Sequence, residues 1–212
     1  MHIITKKVRL IPASIWSGIR LTIEVPDDDP TWGIFASTAP AKSDINVEWG
    51  DGTSDHFTGS IRQETHTYPQ GGRYFVTISD VITMLVISNA NIDSPFHAKY
   101  APRIIHFEAK NVTPLSIGVH CFNGAANLAV ADLKNGVING LMGNCFANCP
   151  KLAGRLDFQS VTSIPALPFT DSPLVSEIHF SEANKGKVME SAGYKADPNH
   201  LGTVNAQISF DP

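Results

Sequence analysis

Apolar and polar residues alternate along the first half of the chain. Three segments, 20–25, 45–49 and 74–78, alternate strictly, and each places its apolar residues on one face. A period of two is that of a half-buried β-strand. Residues 81–88 are almost continuously apolar, which predicts a strand buried on both sides. Short strands divided by Gly, Pro and Asp turns predict a β-sandwich.

A turn motif follows the second of these strands. Gly50 and Gly52 give the backbone freedom at a tight turn, and Asp51 is placed to accept hydrogen bonds from neighbouring amides. Downstream the residues run H-T-Y-x-x-G-G-x-Y-x-V. The ordered set resembles the polycystic-kidney-disease-type (PKD) domain, an immunoglobulin-like sandwich, over about residues 20–88. The resemblance implies structural roles for the motif residues Trp49, Gly50, Asp51, Gly52, His66, Tyr68, Gly72 and Tyr74.

The second half repeats with a period in the low twenties. Aligned segments, three of the four with a proline, place apolar residues at Ile104, Leu128, Leu152 and Leu174, in steps of 24, 24 and 22. A second column is formed by phenylalanines after steps of 24 and 23, and its members are Phe122, Phe146 and Phe169. Such a period is typical of a solenoid, in which each unit buries its apolar residues against its neighbours. We therefore predict two internal columns: Phe122, Phe146 and Phe169, and Leu128, Leu152 and Leu174.

The repeat unit, C-F-x-x-C-P-x-L-x-x-x-L-x-F, resembles the BspA-type leucine-rich repeat over about residues 82–182. The predicted fold class is therefore mainly β: a PKD-like sandwich followed by a short leucine-rich-repeat solenoid. The predicted divisions are an N-terminal arm (1–19), the sandwich (20–88), the solenoid (89–182) and a C-terminal cap (183–212). The cap combines a short helix from 182 to 193 with a terminal strand from 204 to 210.

Composition and charge narrow the classes of function. The net charge is −4, so the bulk charge does not point to nucleic acid or to an anionic membrane. The first residues lack the shape of a secretory signal, and no segment approaches the ~18 apolar residues of a membrane span.

The cysteines and carboxylates offer only weak metal candidates. Cys121, Cys145 and Cys149 lack the paired C-x₂-C spacing of a zinc site, and the repeat already explains the positions of Cys121 and Cys145. His120 beside Cys121 is no base for a nucleophile if both lie on a strand, because neighbours there point to opposite faces. The run Asp27, Asp28 and Asp29 is a weak calcium candidate, weighed against a solvated turn. No cofactor is expected.

Two histidines occupy corresponding repeat positions. His106 and His179 each precede a phenylalanine in a predicted strand. They are either ordinary solvent-facing residues or part of a contact face, since solenoids bind through extended faces.

The sequence favours a non-enzymatic protein. Our first hypothesis is a structural and adhesive component of a phage virion, such as a tail, fibre or capsid-decorating protein, that contacts other virion proteins and a host-surface protein or glycan. It would belong to an oligomeric assembly, with the N-terminal arm as the anchor. The alternatives are a fragment of a bacterial surface adhesin and an accessory module of a secreted carbohydrate-active enzyme.

Overall fold

The computed structural model describes residues 16–38, 44–79, 81–86, 93–191, 194 and 206–211. Within these residues the protein is mainly β, and two short α-helices are present. The predicted arm lies almost wholly outside them, as do the first residues of the predicted terminal strand. None of the helices that the structure describes has the length and hydrophobicity needed to cross a membrane.

The strands and helices follow one another in this order: β1 (Gly18–Val25), β2 (Thr31–Thr38), β3 (Asp44–Glu48), β4 (Ser54–Thr58), β5 (Ile61–Thr67), β6 (Gly72–Ile78), β7 (Ile82–Val86), α1 (Pro95–Tyr100), a 3-10 helix (Ala101–Arg103), β8 (Ile104–Lys110), β9 (Leu115–Ile117), β10 (Val130–Asp132), β11 (Ile138–Leu141), β12 (Gly154–Phe158), β13 (Val175–Phe180), a 3-10 helix (Glu182–Asn184), α2 (Lys185–Glu190) and β14 (Gln207–Phe210).

The strands form three sheets. The first has the order β10-β8-β1-β6-β3-β4, the second β11-β9-β7-β2-β5, and the third β12-β13-β14. Alternation decides which side of the first sheet is buried: Ile19, Leu21 and Ile23 of β1 are fully buried, whereas Arg20 and Glu24 point to the opposite face.

The first two sheets share one hydrophobic core. Trp32 of β2 meets Trp49, which follows β3, edge to face, with ring centroids 6.4 Å apart. The strand predicted at 81–88 is β7, but it is not buried throughout, because Thr83 and Met84 are half-exposed. Residues 87 and 88 lie outside the described part.

Both sheets continue across the domain boundary predicted at residue 88. Strand β8 pairs antiparallel with β1, and β10 then adds to β8 in parallel. On the other sheet, β9 pairs in parallel with β7, and β11 with β9. We call residues 16–86, which contain β1 to β7, the front part. The first repeats therefore extend the sheets of the front part instead of forming a separate body.

Helix α1 closes one end of this core. An added Cβ on Gly33 of β2 would lie 2.5 Å from the Phe96 ring, so only glycine allows the helix to approach this closely. The indole of Trp32 donates to the Tyr100 carbonyl at 3.3 Å, and Arg103 donates to the backbone carbonyls of Asp29 and Thr31.

The repeats from residue 118 onward are stacked coils, where one coil means one repeat of about 24 residues. Each coil has left-handed residues at two fixed positions, four residues apart. They are His120, Asn144 and Leu167, with φ of 55°, 53° and 51°, and Gly124, Asn148 and Asp171, with φ of 73°, 54° and 55°. The Phe122 amide donates to the Cys145 carbonyl at 2.8 Å, and the Phe146 amide donates to Pro168 at 2.9 Å.

A continuous column of seven phenylalanines runs through the coils. The centroids of Phe122 and Phe146 are 5.0 Å apart and those of Phe146 and Phe169 are 5.7 Å apart, with the rings nearly parallel. Further rings extend the column at both ends through contacts of 4.8 to 6.3 Å: Phe107, Phe158, Phe180 and Phe210.

The predicted leucine column needs one correction. Leu128 and Leu152 are fully buried, but Leu174 is 54% exposed. Val175, fully buried, takes its place. The last step is therefore 23 residues, as in the phenylalanine column, and Leu174 falls in the exposed position that Asn127 and Lys151 occupy in the preceding coils.

Candidate functional site on the outer face of the first sheet

The residues of the turn motif at 49–52 and its downstream partners form one packed network. Asp51 accepts from the backbone amide and hydroxyl of Thr53 at 2.9 and 2.6 Å, and its other oxygen lies 2.8 Å from His66 Nε2. The imidazole stacks on Trp49, with ring centroids 4.8 Å apart. Burial raises the pKa of Asp51, but the bonds from Thr53 and His66 outweigh it and hold that pKa below its usual value.

The rest of the motif supports this network. Tyr68 meets the edge of His66 and stacks on Tyr74, with ring centroids 4.7 and 4.0 Å apart. Gly50 has φ of 87°, and a Cβ there would lie 2.6 Å from the Phe75 carbonyl oxygen. The sequence placed Asp51 and His66 in one motif but did not predict that they pair.

The three thiols lie inside the coils, where all are buried and none is joined in a disulfide. Cys149 Sγ donates to the Phe122 carbonyl at 3.1 Å, and Ser172 makes the same contact to Phe146 one coil later at 2.7 Å. Burial raises the pKa of the Cys149 thiol to about 12 and raises that of Cys145 as well. These are the properties of packing residues, not of nucleophiles or zinc ligands.

The aspartate run is held in place by cations and by backbone. Asp29 Oδ2 lies 2.6 Å from Arg103 and 2.9 Å from Lys99. Hydrogen bonds from Lys99, Thr31 and Arg103 hold the pKa of Asp29 well below its usual range. Asp27 accepts from the Gly71 amide at 3.0 Å, and Asp28 is exposed. In the part of the chain that the structure describes, no group of three or more His, Cys, Asp or Glu side chains is arranged to hold a metal ion.

A shallow cleft of about 620 Å³ lies beside this ion cluster. Lys99 and Arg103, which line it, already pair with Asp29. Asn127 on its rim accepts from Lys151 at 2.7 Å. The two cations of the cleft are thus already engaged with Asp29.

The two histidines proposed as a contact face lie on different sheets. His106 is half-buried on the first sheet, whereas His179 is 2% exposed on the third, so the idea of one shared face is wrong. His179 Nδ1 lies 2.7 Å from Ser209 Oγ, and Nε2 lies 2.8 Å from Asp211. The Nδ1 bond to Ser209 fastens β14 to β13, whereas the Nε2 contact with Asp211 lacks hydrogen-bond geometry.

Ser209, His179 and Asp211 are the residue types of a hydrolase triad, but their hydrogen bonds do not run in the direction that a triad needs. The Ser209 hydroxyl donates to Glu177, since a carboxylate only accepts. His179 is therefore not the base for that hydroxyl. Glu177 also lies 3.4 Å from Arg155, which holds Asp157 at 2.7 Å, so the cluster is a chain of ion pairs across the outer side of the third sheet.

The outer face of the first sheet, meaning the side opposite the shared core, carries a row of four residues with an exposed apolar side chain at each end. Cross-strand pairing places Phe75, Thr22, His106 and Val130 side by side on four neighbouring strands. Phe75 and Val130 are each 47% exposed at the two ends of the row. Exposed aromatic and aliphatic residues in line are typical of contact surfaces.

A cavity lies next to this row, and we call it the Arg20 cavity. Its volume is about 340 Å³, and its lining residues are Trp16, Ser17, Arg20, Asn46, Glu48, Thr77 and Ser79. Arg20 and Thr77 pair across β1 and β6, and Thr77 and Glu48 pair across β6 and β3. The cavity therefore rests on three paired strands, a rigid support.

Charges around the Arg20 cavity balance. Burial lowers the pKa of the Arg20 guanidinium, and the nearby carboxylates of Glu108 and Glu48 partly offset this effect. Trp16 covers both cations of the site, with its ring centroid 4.1 Å from the Arg20 guanidinium carbon and 4.9 Å from Lys110 Nζ. Lys110 in turn lies 3.5 Å from Glu108.

The Arg20 cavity could not be predicted from the sequence. Trp16 and Arg20 sit at the junction between the predicted arm and the sandwich, and Asn46 and Glu48 are the polar members of an alternating strand. The sequence shows only that the alternating segments carry charged residues of both signs, such as Arg20 and Glu48, at their outward positions.

Comparison of the chain with protein-family models, with curated proteins and with solved structures finds no match.

Proposed function

We propose that the protein is a non-enzymatic structural and adhesive component of a phage virion that works through surface contacts. The observation that carries the proposal is the continuity of the two sheets from the front part into the coils. Such a body presents a wide outer face on a stiff support, as a tail, fibre or capsid-decorating protein requires.

The thiol and carboxylate side chains that could act in catalysis have structural roles, which supports this proposal. The buried thiols close contacts between coils, and Asp51 holds the Trp49 turn through His66. Two of the exposed large apolar residues, Phe75 and Val130, lie instead on the broad outer face. This placement of the side chains favours binding through a surface over catalysis.

The fold names belong to the same proposal. The front part is PKD-type, supported by positive φ at Gly50 and Gly52 and by the Asp51–His66 pair. The coils are leucine-rich repeats of the BspA type, supported by the recurring left-handed positions and the phenylalanine column.

Mass spectrometry of particles tests the virion assignment. Particles released by lysis of a culture that carries the gene are banded in a density gradient, and the chain is quantified against a capsid protein. We expect the chain to band with the particles in a fixed ratio to that protein. A chain found only in the particle-free fraction, on the cell surface, or within a longer enzyme polypeptide contradicts the assignment.

A further inference from the structure

Three of the residues that line the Arg20 cavity carry a polar atom without a hydrogen-bond partner. The three atoms are Trp16 Nε1, Arg20 Nε and Asn46 Oδ1, each buried and without a partner among the residues that the structure describes. Leaving a buried donor or acceptor unpaired costs about 1–3 kcal/mol, so such groups are rare. Three of them around one cavity are an unusual concentration.

The three groups form a mixed set of donors and acceptors. The Trp16 indole and the Arg20 guanidinium only donate, whereas Asn46 Oδ1 and the Glu48 carboxylate only accept. The Thr77 and Ser79 hydroxyls add groups that do both. A ligand that pairs with these groups must both donate and accept hydrogen bonds.

We infer that the Arg20 cavity is a binding subsite for a neutral saccharide, whose ring hydroxyls each donate one hydrogen bond and accept others. The inference rests on the proposed adhesive function and names its ligand class. The volume of about 340 Å³ lies at the small end of the ~300–1,000 Å³ range of ligand pockets, which suits one or two sugar rings.

Charge balance selects a neutral ligand. Arg20 and Lys110 face Glu48 and Glu108, so an added anion or cation meets no uncompensated partner. The position of the cavity excludes a peptide that binds as an added strand, because such a peptide needs an exposed sheet edge. The cavity lies over β1, β6 and β3, which are interior strands of the first sheet.

Indole signals in a ¹H–¹⁵N spectrum give a direct test. Trp16 lies in the cavity, whereas the indoles of Trp32 and Trp49 donate to the Tyr100 carbonyl and to Asp55 in the core. Lactose, cellobiose, maltose and diacetylchitobiose are titrated as neutral probes, with sialyllactose and triglycine for comparison. We expect at least one neutral probe to shift the Trp16 signal with saturation below about 10 mM, while the Trp32 and Trp49 signals stay fixed.

Variants assign the effect to the cavity. Arg20→Met and Asn46→Ala each remove an unpartnered polar group, and the backbone bonds between Asn46 and Ser79 remain. We expect each variant to weaken saccharide binding about 10-fold. The melting temperature should stay near the wild-type value for Asn46→Ala. It should fall slightly for Arg20→Met, which also loses the contact with the Trp16 ring and the attraction to nearby carboxylates. Arg73→Met, an exposed arginine on the same face outside the cavity, is the matched control and should bind like the wild type.

The inference is overturned if no neutral saccharide shifts the Trp16 signal, if only sialyllactose or triglycine does, or if Arg20→Met binds as well as Arg73→Met. These outcomes are separate from those of particle analysis. A chain that bands with particles but binds no neutral saccharide removes the subsite alone, and a chain absent from particles that binds saccharide removes the virion assignment alone.

Discussion

At the scale of single residues, the groups most capable of chemistry hold the fold together. Asp51 bridges the turn after β3 to His66 on β5. Cys149 and Ser172 occupy equivalent positions in successive coils and cap the carbonyl of a phenylalanine in the preceding coil. The same contact made by a thiol and by a hydroxyl shows that the position needs a small donor and not a nucleophile.

Replacing Asp51 by asparagine tests the Asp51–His66 bridge. Asp51→Asn loses a charge-assisted hydrogen bond, so the free energy of unfolding should fall by about 1–2 kcal/mol near pH 7. Because folding lowers the pKa of Asp51, this difference should be complete above the unfolded value of about 3.9. It should vanish as the pH falls through the lower, folded pKa.

Urea unfolding of the wild type and the variant, measured from about pH 7 to about pH 2, checks this result. Asp28→Asn is the control, since Asp28 is exposed in the turn between β1 and β2, and its effect should stay within about 0.5 kcal/mol. A difference between wild type and Asp51→Asn that stays constant across the pH range would show that the charge of Asp51 contributes nothing.

Thiol labelling tests the packing role of the cysteines. All three are fully buried, and burial raises the pKa of Cys149 to about 12, so the reactive thiolate is scarce near pH 8. Ellman's reagent should label the native protein only at the rate of unfolding and should label all three thiols at once in denaturant. Rapid labelling of the native protein would contradict the packing shown here.

At the scale of elements, backbone conformation repeats more strictly than side-chain identity. Each coil has two left-handed positions, but the residues there are as different as His120, Asn144 and Leu167. Glycine and asparagine adopt this conformation at little cost, whereas it strains a leucine. The sequence could reveal the second position, where Gly124, Asn148 and Asp171 are residue types that favour this conformation. It could not reveal the first position, where a leucine alternates with histidine and asparagine.

The same comparison explains what the sequence could predict about the coils. The phenylalanines were visible because an aromatic residue recurs at a nearly constant step. The last leucine position was misjudged because Leu174 and Val175 are adjacent apolar residues, and only burial decides between them. The Arg20 cavity was invisible because its residues come from strands whose pairing the sequence does not specify.

Leu167→Asn should stabilise the protein. Leu167 is 42% exposed and has φ of 51°, so asparagine should relieve about 1 kcal/mol of backbone strain with little loss of packing. Leu174→Asn is the matched control, an exposed leucine in the same coil outside the left-handed positions, and it should be nearly neutral. Thermal unfolding of both variants decides the question, and equal midpoints would count against strain at Leu167.

At the scale of the whole molecule, the front part and the coils share sheets. The sequence suggested two modules because a PKD-like motif set ends near residue 88 and the repeat begins beyond it. It could not show that β8 pairs with β1 or that β9 pairs with β7. The hydrophobic core consequently runs without a break from Trp32 and Trp49 to Phe180.

A core without a break predicts one cooperative unfolding unit. Two modules joined only by a linker would unfold independently, and a mutation in one would leave the other unchanged. The proposed contact surface needs a rigid support, and only a single cooperative unit would provide it across both parts of the chain.

Urea unfolding of Phe146→Ala, followed by tryptophan fluorescence, tests this claim most directly. All tryptophans, Trp16, Trp32 and Trp49, lie in the front part, whereas Phe146 lies in the middle of the coils. Truncating this buried ring should cost about 3–5 kcal/mol. A shared core predicts a single tryptophan transition at lower urea than in the wild type, with the free energy of unfolding reduced by about 3–5 kcal/mol. A tryptophan transition that stays at the wild-type midpoint would contradict a shared core.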